Sequence, residues 1–122
     1  MGRVVLEGTH LIVVHVRGDA RITAPMVQEV IRTRHRLAPG IPVAMYFIIE
    51  GELDWELPAL QTDHFALEGE MLKAVAVMVN APVFTTVVNV YFSMFPGHMP
   101  HKVFSQVEEG YAWLAGLGAA AD

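Results

Sequence analysis

The chain contains no cysteine. That absence excludes disulfide bonds, thiolate catalysis and cysteine-ligated metals. Serine is nearly as scarce, with only Ser93 and Ser105 present. No G-x-S-x-G elbow, P-loop or dinucleotide-binding G-x-G-x-x-G occurs. Positive charge is also sparse: 8 Lys and Arg stand against 13 Asp and Glu, for a formal net charge of −5. The longest basic cluster is Arg32-Thr-Arg-His-Arg36, so nucleic acid is not an expected partner. The first residues, MGRVVLEGTH, have no signal-peptide core. No Ser or Thr stands where a myristoylation signal after Gly2 would want one. The expected location is cytoplasmic.

A further absence is local. No formally charged side chain stands between Lys73 and His98. The run from Ala74 to Gly97 is long enough to raise the question of a membrane span, which needs ~20 uninterrupted apolar residues. Its internal pattern argues otherwise. Ala74 to Val79 is a valine-rich block of the kind that forms a buried strand. Asn80 and Ala81 turn the chain, and Pro82 suits the first turn of a helix. Phe84, Val87, Val88, Tyr91, Phe92 and Phe95 then recur at helical spacing, and Pro96-Gly97 stops the helix. A buried strand followed by a packed helix is expected, with no membrane span.

What is present suits a packed domain. Of 122 residues, 53% are hydrophobic and 17% charged, which favours a globular core over disorder. Residues 1–115 read as a single domain, and the small-residue tail 116–122 is expected to fray. Arg3 to Glu7 and Leu11 to Val16 read as strands joined by Gly8-Thr9-His10; Gly18-Asp19 ends the second. Thr23 is a candidate N-cap for a helix from Ala24 to about Leu37. Its buried face would hold Met26, Val27, Val30, Ile31 and Leu37, and its wet face Arg32, Arg34, His35 and Arg36. Val43 to Ile49 reads as a strand. A helix is expected from near Pro58 to Leu67, with His64 a hydrogen-bonded core residue on it. His101 to Phe104 reads as the last strand. Ser105 to Glu108 reads as a capping box, opening a helix that ends at Gly116. The order is β-β-α-β-α-β-α-β-α, an α/β mixed sheet flanked by helices.

That order resembles the STAS-like domains, the sulfate transporter and anti-sigma factor antagonist group. It is most similar to small stand-alone bacterial STAS-like (SpoIIAA-like) proteins, related to CRAL-TRIO lipid-transfer domains. The resemblance is carried by Ala74-Val-Ala-Val-Met-Val79, Val87-Val-Asn-Val-Tyr-Phe92 and Lys102-Val-Phe-Ser-Gln-Val-Glu-Glu-Gly-Tyr-Ala-Trp-Leu114. Glu50 to Glu70 departs from it. Phosphorylation-switched members hold a Ser or Thr at the start of the helix after the third strand. Here that junction, Glu50 to Glu56, has no hydroxyl, and Thr62 lies too far along. The resemblance implies a fold and a binding or regulatory role, not a reaction and not a kinase-operated switch.

Two groups of residues are candidate sites. Glu50, Glu52, Asp54 and Glu56 follow a strand end, where α/β sheets gather ligands. Their spacing matches no calcium loop, and a solvated acidic loop is the plainer expectation. The histidines show no zinc spacing, so no metal and no cofactor is expected. The second group is the far side of the uncharged helix: Thr85, Thr86, Asn89, Val90, Ser93 and Met94. A wet helix face normally carries charge. This one would be sealed in a homodimer, border an apolar ligand cavity, or be an ordinary uncharged surface. The expected function is a non-enzymatic regulatory or interaction domain acting as a homodimer. The alternative is a carrier or sensor of a small apolar ligand such as a lipid. Acid–base chemistry by Glu or His stays open.

Overall fold

The short valine- and isoleucine-rich runs cannot bury themselves unless they lie side by side, and they do so in one five-stranded sheet. A computed structural model describes residues 2–17, 21–51, 54–66 and 68–118. The strands are β1 (Gly2–Glu7), β2 (Leu11–Val16), β3 (Arg21–Ile22), β4 (Val43–Ile49), β5 (Asp54–Trp55), β6 (Leu72–Val79) and β7 (His101–Phe104). The helices are α1 (Ala24–Leu37), α2 (Leu57–Leu60), α3 (Pro82–Met94) and α4 (Val107–Gly116). The main sheet runs β1-β2-β4-β6-β7. β1 is antiparallel to β2, and the remaining pairs are parallel. The fold is α/β, with a mixed sheet flanked by helices.

Because side chains alternate along a strand, β2, β4 and β6 each feed two cores. Val14, Met45, Val75 and Val77 share one with α1 and α3. Leu11, Val13, Tyr46 and Met78 share the other with Leu114 of α4. The small Ala44, Ala74 and Ala76 on that second side let α4 lie close to the sheet. Gly110 of α4 sits so tightly that a Cβ there would meet Tyr46 Oη at 2.1 Å. The Tyr46 hydroxyl donates to the Val107 carbonyl at 2.7 Å. Burial holds the Tyr46 phenol above its ordinary range. It also pushes Tyr111 up to about 12, with the Glu7 carboxylate that accepts its hydrogen bond adding to the shift.

Local chemistry ends the elements largely where the residues say it should. Thr23 caps α1, its Oγ1 accepting from the Met26 amide at 3.1 Å. α3 opens on Pro82, which gives up no donor there. The cap of α4 is displaced by one residue from the expected Ser105–Glu108 box. Gln106 is the N-cap, and its amide donates to Glu109 Oε1 at 3.1 Å. Ser105 Oγ reaches the same carboxylate. The expected stop at Gly18-Asp19 and the tail beyond Gly118 lie outside the described residues.

Four expectations are corrected. Arg34 is not on a wet face: it is fully buried. It stands one turn after Val30 and Ile31, so helical phase carries it inward despite its charge. There its Nη2 meets Glu68 Oε1 at 2.5 Å, and Nη1 meets His35 Nδ1 at 3.0 Å. Desolvation lowers the Arg34 pKa, and the Glu68 charge offsets part of that. Leu37 is 39% exposed, because the fully buried Ala38 closes the core at that end.

The helix expected from Pro58 to Leu67 is a single turn, Leu57–Leu60. The Thr62 hydroxyl takes the Pro58 carbonyl at 2.8 Å, a local bond of the kind that competes with helix continuation. The Tyr91 hydroxyl then donates to the Thr62 carbonyl at 2.7 Å and accepts from the His64 amide at 3.1 Å. These tertiary bonds take backbone groups that a longer helix would use. His64 and Phe65, adjacent in sequence, are both buried. Finally, the acidic stretch is not all loop: Asp54-Trp55 forms β5, parallel to β3 in a separate two-stranded sheet.

Candidate functional site

Trp55, Ala59, Leu60, His64 and Phe65 lie across the α1/α3 side of the sheet and leave space beneath them. The result is a cavity of about 90 Å³. Its floor is Val14 and Val16 of β2, Phe47 and Ile49 of β4, and Val75 and Val77 of β6. Met26, Val27 and Val30 of α1 form one wall, and Val88, Tyr91 and Phe92 of α3 the other. The space therefore lies on the face of three neighbouring parallel strands, beneath α1 and α3. Phe47 reports it independently. It occupies a central strand between two neighbours, yet is the only β4 residue that is not fully buried.

His64 and Tyr91, beside the cavity, are engaged with the protein. His64 Nδ1 lies 3.0 Å from Gln28 Nε2, and Nε2 lies 2.7 Å from the Ala59 carbonyl. The carbonyl takes the Nε2 proton, and Nδ1 faces the Gln28 amide. Tyr91 has both hydroxyl functions occupied, and burial raises its pKa, with the His64 amide acting against the shift. Among the described residues Trp55 Nε1 is buried with no partner. The rest of the lining is hydrocarbon. Beyond that one indole donor a polar ligand would lose its hydration uncompensated, at a cost of ~2–7 kcal/mol for an unpaired amide or hydroxyl.

A second concavity lies outside the first. It is a groove of about 200 Å³ between Leu60 of α2 and the outer side of α3, where Thr86, Val87, Val90, Tyr91 and Met94 line it. Around it the surface is apolar: Leu57 is 63% exposed, Val83 64%, Val90 52% and Met94 57%. Of the helix-face candidates, Thr86, Asn89, Val90, Ser93 and Met94 are exposed and Thr85 is half-buried. Thr86, Val90 and Met94 meet at the groove; Thr85, Asn89 and Ser93 do not line it.

The acidic candidates are not brought together around an open centre. Glu50 is exposed just past β4, and Glu52 lies outside the described residues. Arg21 bridges Asp54 Oδ2 at 3.4 Å and Glu56 Oε2 at 3.3 Å. Among the described residues no three His, Asp or Glu are placed to hold a metal ion.

The cavity residues were not legible as a set. They come from many elements, and four of the five that cover it, Ala59, Leu60, His64 and Phe65, belong to the stretch whose helix ended early. The nearest signal was Trp55, a large apolar residue among carboxylates.

No helix among the described residues is long and apolar enough to cross a membrane. No curated protein and no solved structure matches the chain. One family matches over residues 5–117, which spans the sheet, both helical layers and the cavity. The chain belongs to that family, described as Domain of unknown function (DUF7793).

Proposed function

We propose that this domain is a non-enzymatic binding module whose ligand is a small apolar molecule held between the sheet and helices α1 and α3. The observation that carries the reading is the cavity of about 90 Å³ with its hydrocarbon wall. An engineered cavity of ~150 Å³ binds benzene, so a modest adjustment of the cover would admit a ligand of that size. The role is that of a carrier or sensor. A STAS-like kinship and a cytoplasmic location are part of the same proposal; the strand and helix order supports the kinship.

The test is calorimetry and thermal unfolding with benzene as the probe. Benzene is expected to raise the melting temperature and to bind one equivalent. Val77→Ile, which adds one methyl to the floor, should stabilise the free protein by ~0.5–2 kcal/mol as cavity-filling changes do, and should weaken benzene. If neither benzene nor Val77→Ile changes stability, the reading fails. Native mass spectrometry of the purified chain adds a second readout, since a retained ligand would appear as mass lost on denaturation.

A second reading is favoured by the exposed strip of Leu57, Val83, Val90 and Met94. It is a regulatory module working through protein–protein contacts, with a second copy of the chain as the occupant of α3. An uncharged face has nothing to repel its own image across a two-fold axis. Val90→Asp is then expected to convert a dimer to monomer in sedimentation, with unfolding little changed because Val90 is 52% exposed. An oligomeric state identical in the two proteins would sink this reading.

A further inference from the structure

Two residues, Leu60 and Tyr91, line both the core cavity and the outer groove. They are the wall that the two spaces share. They are not equivalent. Tyr91 is pinned, donating to the Thr62 carbonyl at 2.7 Å and accepting from the His64 amide at 3.1 Å. Leu60 is half-buried at the end of a one-turn helix, and an aliphatic side chain breaks no hydrogen bond when it turns. Side-chain rotation at such sites is fast. Turning Leu60 aside would join a space of about 90 Å³ to one of about 200 Å³.

We propose that the core cavity and the groove are two compartments of one channel for a linear hydrocarbon chain, with Leu60 as its gate. The proposal rests on the apolar-ligand reading above and makes it specific. The inner end of the chain would lie on Phe47 and Val77. Its outer part would run past Leu60 along Val90 and Met94, and a polar head would remain in water at the groove mouth. A compact ring would fill only the inner compartment. A chain uses both, and it accounts for an apolar groove lying directly outside an apolar cavity.

Calorimetric titration with hexanol, octanol and decanol tests this, with benzene as the probe of the inner compartment alone. Affinity is expected to rise roughly fourfold per added methylene, the equivalent of ~0.8 kcal/mol per buried CH₂. Val90→Trp narrows the groove without touching the inner lining. It should cut decanol binding at least tenfold and leave benzene and hexanol unchanged. Leu60→Ala should speed association of hexanol. If benzene binds but alkanol affinity is flat with length, the channel is wrong while the cavity reading stands. If Val90→Trp weakens benzene and decanol alike, the effect is not local and the channel is equally wrong. If no probe binds, both readings fall together.

Discussion

Replacing Glu68 by alanine is expected to destabilise the domain by about 3–5 kcal/mol, the cost of stripping one partner from a buried ion pair. Arg34 is fully buried, and its guanidinium meets Glu68 at 2.5 Å. Among the described residues its Nε has no hydrogen-bond partner, and its other contact is from Nη1 to the neutral-acceptor side of His35, Nδ1 at 3.0 Å, so Glu68 is the one anion beside it. His35 Nε2 approaches the second Glu68 oxygen at 3.2 Å, but its side chain is 45% exposed and contributes as a partly screened contact. The loss would be a large fraction of the ~5–15 kcal/mol available to a domain.

The double change Arg34→Met with Glu68→Leu should recover most of the loss, because a desolvated pair is often replaced by apolar side chains at little cost. Urea unfolding of the wild type, both single variants and the double variant would measure this as a cycle. If Glu68→Ala costs less than about 1 kcal/mol, the pair is not buried in solution as described. The pair also bears on the site. Glu68 closely follows the segment that covers the cavity, so its bond to α1 helps hold that cover down. Hydrogen exchange at residues 61–66 should rise in Glu68→Ala before the global unfolding rate does.

Gly110→Ala carries the second large effect, and its sign is the informative part. In an open helix interior, Gly to Ala is favourable by ~0.8–1.0 kcal/mol. Here the new Cβ would lie 2.1 Å from Tyr46 Oη and 2.2 Å from Cζ, distances that no real contact tolerates. The ring must move, on a strand where Tyr46 is fully buried. Such overpacking costs typically ~1–3 kcal/mol. Loss of the Tyr46 bond to the Val107 carbonyl adds ~0.5–1.5 kcal/mol. The clash outweighs the propensity, and a net loss of about 1–3 kcal/mol is expected. In a Tyr46→Leu background the same glycine change should become neutral or favourable, since the ring is gone. Denaturant midpoints of the four proteins would settle it: an additive cycle would mean that α4 does not approach the sheet this closely.

Much of the architecture was legible because local chemistry and burial agreed. The valine-rich block before Asn80 became β6, and Thr23 capped α1 as its hydroxyl suggests. Pro82 opened α3, and the Phe84–Phe95 stripe placed Val88, Tyr91 and Phe92 in the core. The uncharged far side of α3 is exposed at Thr86, Asn89, Val90, Ser93 and Met94, as its spacing required.

The rest depended on groups distant in sequence. Arg34 reads as a surface residue until Glu68 arrives from another segment to neutralise it. The stretch from near Pro58 to Leu67 reads as a helix until the Tyr91 hydroxyl takes backbone groups on either side of Asp63. The cavity has no local signature, because a void is a property of several elements meeting imperfectly. The chain by itself determined the five strands of the main sheet, its three long helices and an uncharged face on α3. The tertiary structure alone decided that this face borders a groove, and that Leu60 and Tyr91 line both that groove and the apolar pocket over the sheet. Periodicity records which side of an element is apolar, while complementarity between elements is settled only by the contacts they make across the sheet.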